Sequence, residues 1–268
     1  MLFYLKEEIL QEYQSAIQKN KIFIFQWGIA MNYQEYIESH NKLMEKWIER
    51  HRRGRDNFGF VKDGIINPEM WFSHDNKERI LFILKEAYEK DEEKHIWDLP
   101  SWIRETKCMN SCDKDCKGCF RAGNAYTRLA EWVWGIEEFC KTKSKKFDNN
   151  LGIMPYRREI YKNKRVEMLC KASIINIKKS DGTKSSSYEN LKEYAKDDAD
   201  LLVEQITIIN PTVIICGGTS ELFRNIFSDI SNNYNTIPMP HPTQRRWSAE
   251  AMFNRVLRSY ESLPIKLR

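Results

Sequence analysis

From residue 80 onward the chain is punctuated by four short apolar runs, each bounded by polar or turn residues. They are Ile80 to Leu84 (ILFIL), Ala172 to Ile175 (ASII), Thr212 to Cys216 (TVIIC) and Asn235 to Met239 (NTIPM). The first three read as strands buried on both faces of a parallel sheet, while Pro238 weakens the fourth as a central strand. Between the runs the apolar spacing turns helical. Ser186 and Glu189 are placed to form a capping box for a helix through Leu191, Tyr194, Leu202, Ile206 and Ile209 that stops at Asn210-Pro211. Arg128 to Cys140, Glu221 to Ile230, and Ser248 to Tyr260 show the same periodicity, the last with Met252, Phe253, Val256, Leu257 and Tyr260 on one face. Residues 1 to 50 are helical in pattern, with Ile37, Leu43, Met44, Trp47 and Ile48 at helix spacing among charges. Alternating strands and helices predict an α/β fold, a three-layer α/β/α arrangement around a short, mainly parallel four-stranded sheet. Residues 1–55 are expected to form an N-terminal helical extension that packs on an α/β domain spanning 56–268.

The chain has 268 residues, 41% of them hydrophobic, enough for one large core. It contains no 18-residue apolar run, so no membrane span is expected. The opening MLFYLKEEILQEY mixes charge into its apolar stretch and lacks a small-residue cleavage site, which points to a cytoplasmic location. An odd cysteine count of seven then suggests thiols or metal ligands rather than disulfides. The net charge of +5 is unevenly spread. Residues 141–165 carry nine Lys and Arg against Asp148 and Glu159, and Arg50, Arg52, Arg53 and Arg55 form a second cluster. Such patches either keep a surface solvated or track phosphates.

In an open parallel sheet, ligands bind beyond the carboxyl ends of the strands, so the residues that follow each run are where chemistry is expected. These followers are Lys85-Glu86-Ala87-Tyr88, Asn176-Ile177-Lys178-Lys179, Gly217-Gly218-Thr219 and His241-Pro242-Thr243. Singly, each is an ordinary turn or helix-start residue. Together they bring a carboxylate, a carboxamide, a glycine turn and an imidazole to one edge. In the final segment, MPHPTQRRW, two prolines hold His241 in a stiff loop, followed at once by Gln244, Arg245, Arg246 and Trp247.

In this order, "ILFILKEAY", "SIINIKK", "INPTVIICGGT" and "PHPT" resemble the motifs of the uracil-DNA glycosylase superfamily. The Ile175-Asn176-Ile177-Lys178-Lys179 form is similar to the branch that bears an iron–sulfur cluster. The resemblance runs from about Arg79 to Tyr260. Lys85 and Ala87 flank Glu86 where the family usually has glycine and proline, Thr243 replaces a serine, and Gln244 to Trp247 stand where an apolar wedge is common. The resemblance implies hydrolysis of the N-glycosidic bond of a flipped-out uracil-like, damaged or modified base, in repair or in defence against phage. Glu86 would activate water, and His241 would donate to the base oxygen where charge develops. Asn176, both donor and acceptor, would read the base edge, with Tyr88 walling the pocket. Lys179, Gly217, Gly218, Thr219, Thr243, Arg245, Arg246 and Trp247 would contact DNA, single- or double-stranded. Neither a membrane nor an obligate protein partner is expected.

A second constellation is Cys108, Cys112, Cys116 and Cys119, four cysteines in twelve residues, with Gly118 permitting a tight turn. They are expected to hold one metal ion, read as structural zinc with a [4Fe–4S] cluster as the alternative. The last three also resemble the radical S-adenosylmethionine signature, an alternative enzyme class that would require a barrel of strand–helix units. A non-catalytic nucleic-acid-binding protein is the alternative from a different class.

Overall fold

A computed structural model describes residues 32–54, 59–88, 95–105, 124–141, 164–182 and 187–264. In chain order the strands are β1 (Phe60–Lys62), β2 (Gly64–Ile65), β3 (Ile80–Tyr88), β4 (Ile96–Asp98), β5 (Ser173–Gly182), β6 (Val213–Gly217) and β7 (Asn235–Met239). The helices are α1 (Tyr33–Gly54), α2 (Pro68–Trp71), α3 (Leu99–Arg104), α4 (Asn124–Lys141), α5 (Lys164–Cys170), α6 (Tyr188–Asp197), α7 (Ala199–Ile209), α8 (Ser220–Ile226), α9 (Ser228–Ser231) and α10 (Ala249–Glu261).

The protein is a mixed α/β structure around a mostly parallel five-stranded sheet of order β2-β5-β3-β6-β7. The four apolar runs of the sequence supply its parallel strands. The expected count of four falls short by one, because β2 pairs antiparallel with β5 at the edge. That strand is two residues long and follows Asp63, so its sequence carries no strand periodicity. β1 and β4 form a separate parallel pair. Both sheets are open among the described residues, unlike the barrel that the radical S-adenosylmethionine alternative required. Pro238 sits on the edge strand β7, where its missing N–H costs no ladder bond toward a further strand.

Strand alternation sends side chains to two apolar clusters, one on each face. Phe82, Leu84, Ile174, Ile215 and Ile237 pack with α4, α5 and α10, including Trp132, Leu169 and Phe253. Leu81, Ile83, Ile175, Ile177 and Ile214 pack with α1, α6, α7 and α8. Tyr36, Leu43, Met44 and Trp47 of α1 belong to this second cluster, so the described half of the N-terminal extension is part of the core. Gly64 makes its close approach possible. At φ +145°, a Cβ there would lie 2.6 Å from His40 Nε2 and 2.8 Å from the Tyr36 hydroxyl.

The single helix expected from 186 to 209 is two. Ser187, rather than Ser186, caps α6 by accepting from Asn190 N; Ser186 lies outside the described residues. The chain then breaks at Asp198 (φ −106°, ψ 15°) before α7. Asp198 is buried, and its carboxylate takes His51 Nε2 of α1 at 2.8 Å instead of capping α7. The stop is as expected: Asn210 adopts the left-handed conformation (φ 47°) ahead of Pro211. A second expected helix, Glu221 to Ile230, is likewise divided at Phe227. Among the described residues no helix is long and apolar enough to cross a membrane.

Candidate active site at the strand ends

Parallel pairing carries β3, β5, β6 and β7 to a common edge, where three of the four strand-end motifs meet directly. The Gly217-Gly218-Thr219 turn is tied to its neighbours on both sides. Gly218 N–H donates to Met239 O at 2.7 Å, and Thr219 Oγ1 donates to Ile83 O at 2.7 Å. Gly218 has φ +74°, which only glycine adopts without strain. Thr219 is therefore buried scaffold, whereas the Gly218 backbone is exposed.

His241 follows β7 in the loop that the prolines stiffen. Its Nδ1 lies 2.7 Å from Thr243 Oγ1 and 3.3 Å from Thr243 N. A backbone N–H can only donate, so Nδ1 is the acceptor and the ring proton of the neutral imidazole resides on Nε2. Burial pushes the His241 pKa down to about 4. The Lys85 ammonium pushes the same way and Glu86 opposes it. The ring is thus neutral at physiological pH, with Nε2–H as a hydrogen-bond donor. Arg128, in the first turns of α4, holds the loop from outside by donating to Pro242 O and, at 3.0 Å, to Gln244 O.

Glu86, near the end of β3, is largely buried, and its Oε2 lies 3.0 Å from Lys178 Nζ on β5. Leu84 pairs in register with Asn176, and Glu86 with Lys178. The four side chains therefore share a face of the sheet, the face covered by α4. Asn176 is 1% exposed. Its backbone N–H and its Nδ2 both donate to Asp63 Oδ2, at 2.7 and 3.1 Å. From the opposite face, Lys179 Nζ reaches Asp63 Oδ1 at 2.5 Å and Gln205 Oε1 at 2.8 Å. Gln205 Nε2 completes the network to Asp63 Oδ1 (3.0 Å), Asp63 O (3.1 Å) and His40 Nε2 (3.3 Å). Burial lowers the Lys179 pKa while Asp63 supports its charge, and burial lowers that of His40 to about 4.

Two residues expected to contact DNA are buried: Thr219 is 1% exposed, with its hydroxyl spent on Ile83 O. Lys179, expected to contact DNA, is 0% exposed and paired with Asp63 inside the protein, where a phosphate cannot reach it. Arg245, Arg246 and Thr243 are exposed beside His241, and Trp247 is 37% exposed with the Arg255 guanidinium 4.7 Å from its ring centroid. Tyr88 pairs with Gly182 in the sheet, but its side chain lies outside the described residues. Cys108, Cys112, Cys116, Cys119 and most of the basic segment 141–165 also lie outside them. Among the described residues no group of His, Cys, Asp or Glu could hold a metal ion.

No family model, curated protein or solved structure matches the chain.

Sequence reasoning missed Asp63, Lys178, Gln205 and Arg128. Asp63 is a lone acid inside the run FVKDGII, Lys178 is one of two adjacent lysines and Gln205 follows Glu204 in a helix, signals that gain meaning only from their partners. A cleft of about 370 Å³ between α1, β2 and α3 is lined by Tyr36, His40, Lys62, Asp63, Asp98 and Arg104 among others. Glu86, Asn176 and His241 do not line it, so it is distinct from the strand-end groups.

Proposed function

We propose that the protein is a DNA glycosylase that hydrolyses the N-glycosidic bond of a flipped-out uracil-like, damaged or modified base, acting in the cytoplasm. The observation that carries this reading is the geometry of the His241 loop, where Nδ1 accepts from the Thr243 backbone N–H and leaves the ring proton on Nε2, at the same sheet edge as the Glu86 carboxylate two strands away. Cleavage leaves negative charge on the departing base and positive charge on the sugar. A fixed N–H donor aimed at the base stabilises the first without a proton being lost, a contribution of about 3 to 4 kcal/mol. Glu86, oriented by Lys178, supports the cationic sugar and takes a proton from the attacking water. Arg245, Arg246 and Trp247, exposed beside the imidazole, would meet the phosphates and the gap left in the stack.

The test is mass spectrometry of free bases released from a panel of uracil-containing, deaminated, oxidised and phage-modified oligonucleotides, single- and double-stranded. Release of one base class by the wild type, abolished in His241→Ala, is expected. DNA binding with no base released from any substrate overturns the reading and leaves a non-catalytic DNA-binding protein.

A further inference from the structure

We propose that the cleft between α1, β2 and α3 is a second binding site, one that takes a ribose phosphate, free or as part of a ribonucleotide. The cleft is separate from the strand-end groups, and its occupancy is independent of the glycosylase reading.

The floor consists of buried groups with hydrogen-bonding capacity left over. Tyr36 and His40, one turn apart on α1, stack with ring centroids 5.1 Å apart and are 2% and 9% exposed. The Tyr36 hydroxyl accepts the Ile65 N–H at 3.0 Å, which leaves its own proton to donate. His40 turns Nε2 toward Gln205, at 3.3 Å, whereas Nδ1 has no hydrogen bond among the described residues and is open to the cleft. Such an atom, on a side chain this deeply buried, is satisfied only by water or a ligand.

The walls carry charge of both signs. Lys62, at the end of β1, and Glu69, in α2, line the cleft and have no ion pair or hydrogen bond among the described residues. Asp98 commits one carboxylate oxygen to the Ser101 N–H at 2.6 Å and keeps the other. Arg104 is held in place by donating to Ile66 O and, at 2.8 Å, to Ser101 Oγ. Asp98 lies within electrostatic reach of both floor residues, and Arg104 within reach of Tyr36.

This set of groups selects its ligand. A simple anion meets the two carboxylates as well as the two cations, and a simple cation meets the reverse. A hydroxyl both donates and accepts, so it satisfies the His40 Nδ1 in either tautomer and the Tyr36 proton as well. Burial lowers the His40 pKa to about 4, so at neutral pH the ring meets a hydroxyl without charge. Ribose hydroxyls are commonly held by an acidic side chain, the role open to Asp98 and Glu69, while a phosphate on the same sugar takes Lys62 and Arg104. A zwitterionic amino acid also carries both signs but has no hydroxyl pair for the floor. The cleft volume, about 370 Å³, lies within the range of small-molecule sites, and Tyr33, 40% exposed at its rim, offers a ring to a base.

The experiment is isothermal titration calorimetry of the full-length protein with the four common ribonucleoside monophosphates, their 2′-deoxy counterparts, ribose 5-phosphate, inorganic phosphate and leucine. Saturable binding of one ligand per chain is expected for a ribonucleotide, for ribose 5-phosphate or for both, and tighter binding of a nucleotide identifies the base as part of the ligand. The matching 2′-deoxynucleotide should bind about fivefold or more weakly. Lys62→Met and Asp98→Asn should each weaken binding to a similar degree; Asn at position 98 keeps an oxygen for the Ser101 N–H, and circular dichroism checks that both variants fold. If either does not, Glu69→Gln on the exposed wall takes its place. His241→Ala should bind as the wild type does, and loss of affinity in that variant would place the ligand at the strand ends and overturn the proposal. So would equal affinity for ribo- and 2′-deoxynucleotides, equal binding of inorganic phosphate, preferential binding of leucine, or no saturable binding at all.

Discussion

Gly218 lies directly against His241: a Cβ on Gly218 would stand 3.2 Å from His241 Cβ and 3.3 Å from both the His241 backbone nitrogen and Lys85 Cε. The β6 turn and the β7 loop are thus a single packed unit, and the imidazole owes its position to the absence of a side chain on its neighbour. Gly218→Ala adds the cost of φ +74° to these contacts. It should lower stability by about 1 to 2 kcal/mol and slow base release at least tenfold, with DNA affinity nearly unchanged, as read by urea denaturation and single-turnover kinetics. Wild-type turnover in this variant would show that the packing does not position the ring.

Removing the donor itself should cost more. His241→Ala is expected to slow release by roughly a hundredfold or more with little change in DNA binding, because a donor aimed at developing charge acts in the transition state. Thr243→Val keeps the backbone N–H to Nδ1 but deletes the hydroxyl 2.7 Å away, and should lie between the two. Glu86→Gln should slow release as well, since an amide is a poor base. Full activity in both His241→Ala and Glu86→Gln would mean that the strand-end groups are scaffold.

Two imidazoles, the buried His40 and the half-buried His241, set an acid dependence of stability. His40 and His241 both have folded pKa values lowered from 6.5 to about 4, so between these limits the unfolded chain binds more protons than the folded one. Stability should therefore be fully present above pH 6.5 and fall as the pH drops toward about 4, by about 3 kcal/mol for His40 alone. His40→Gln, which can still face Gln205, should flatten the curve over this range. An unchanged pH slope in urea titrations of that variant would place the acid sensitivity elsewhere.

Asp198 joins the break between α6 and α7 to α1 through His51, with both side chains 1% exposed. Asp198→Ala strands a buried imidazole and should destabilise the fold by about 3 kcal/mol. Replacing both partners, His51→Leu with Asp198→Ala, should recover part of that loss. Equal melting temperatures for the single variant and the wild type would contradict the pairing.

The four cysteines are expected to bind one metal equivalent through their thiolates. Elemental analysis of anaerobically purified protein should find about one zinc per chain, or iron with brown colour if the site holds a cluster, and Cys112→Ser should lose it. Protein containing neither metal removes the site.

The apolar runs alone determined the parallel strands and the edge where their ends meet, because burial on both faces leaves a signature that needs no partner to read. Residue type likewise marked Glu86, Asn176, Gly217, Gly218 and His241 as the candidates at that edge. Only the tertiary structure decided what each of them faces. Lys178 and Lys179 are adjacent lysines in the sequence, yet strand alternation sends one to Glu86 on one face and the other to Asp63 and Gln205 on the opposite one. Asp63, Gln205 and His40 lie far apart along the chain and carry no periodic signal. A hydrogen bond between residues more than a hundred positions apart depends on the packing of α1, α7 and the sheet edge, which local sequence does not encode.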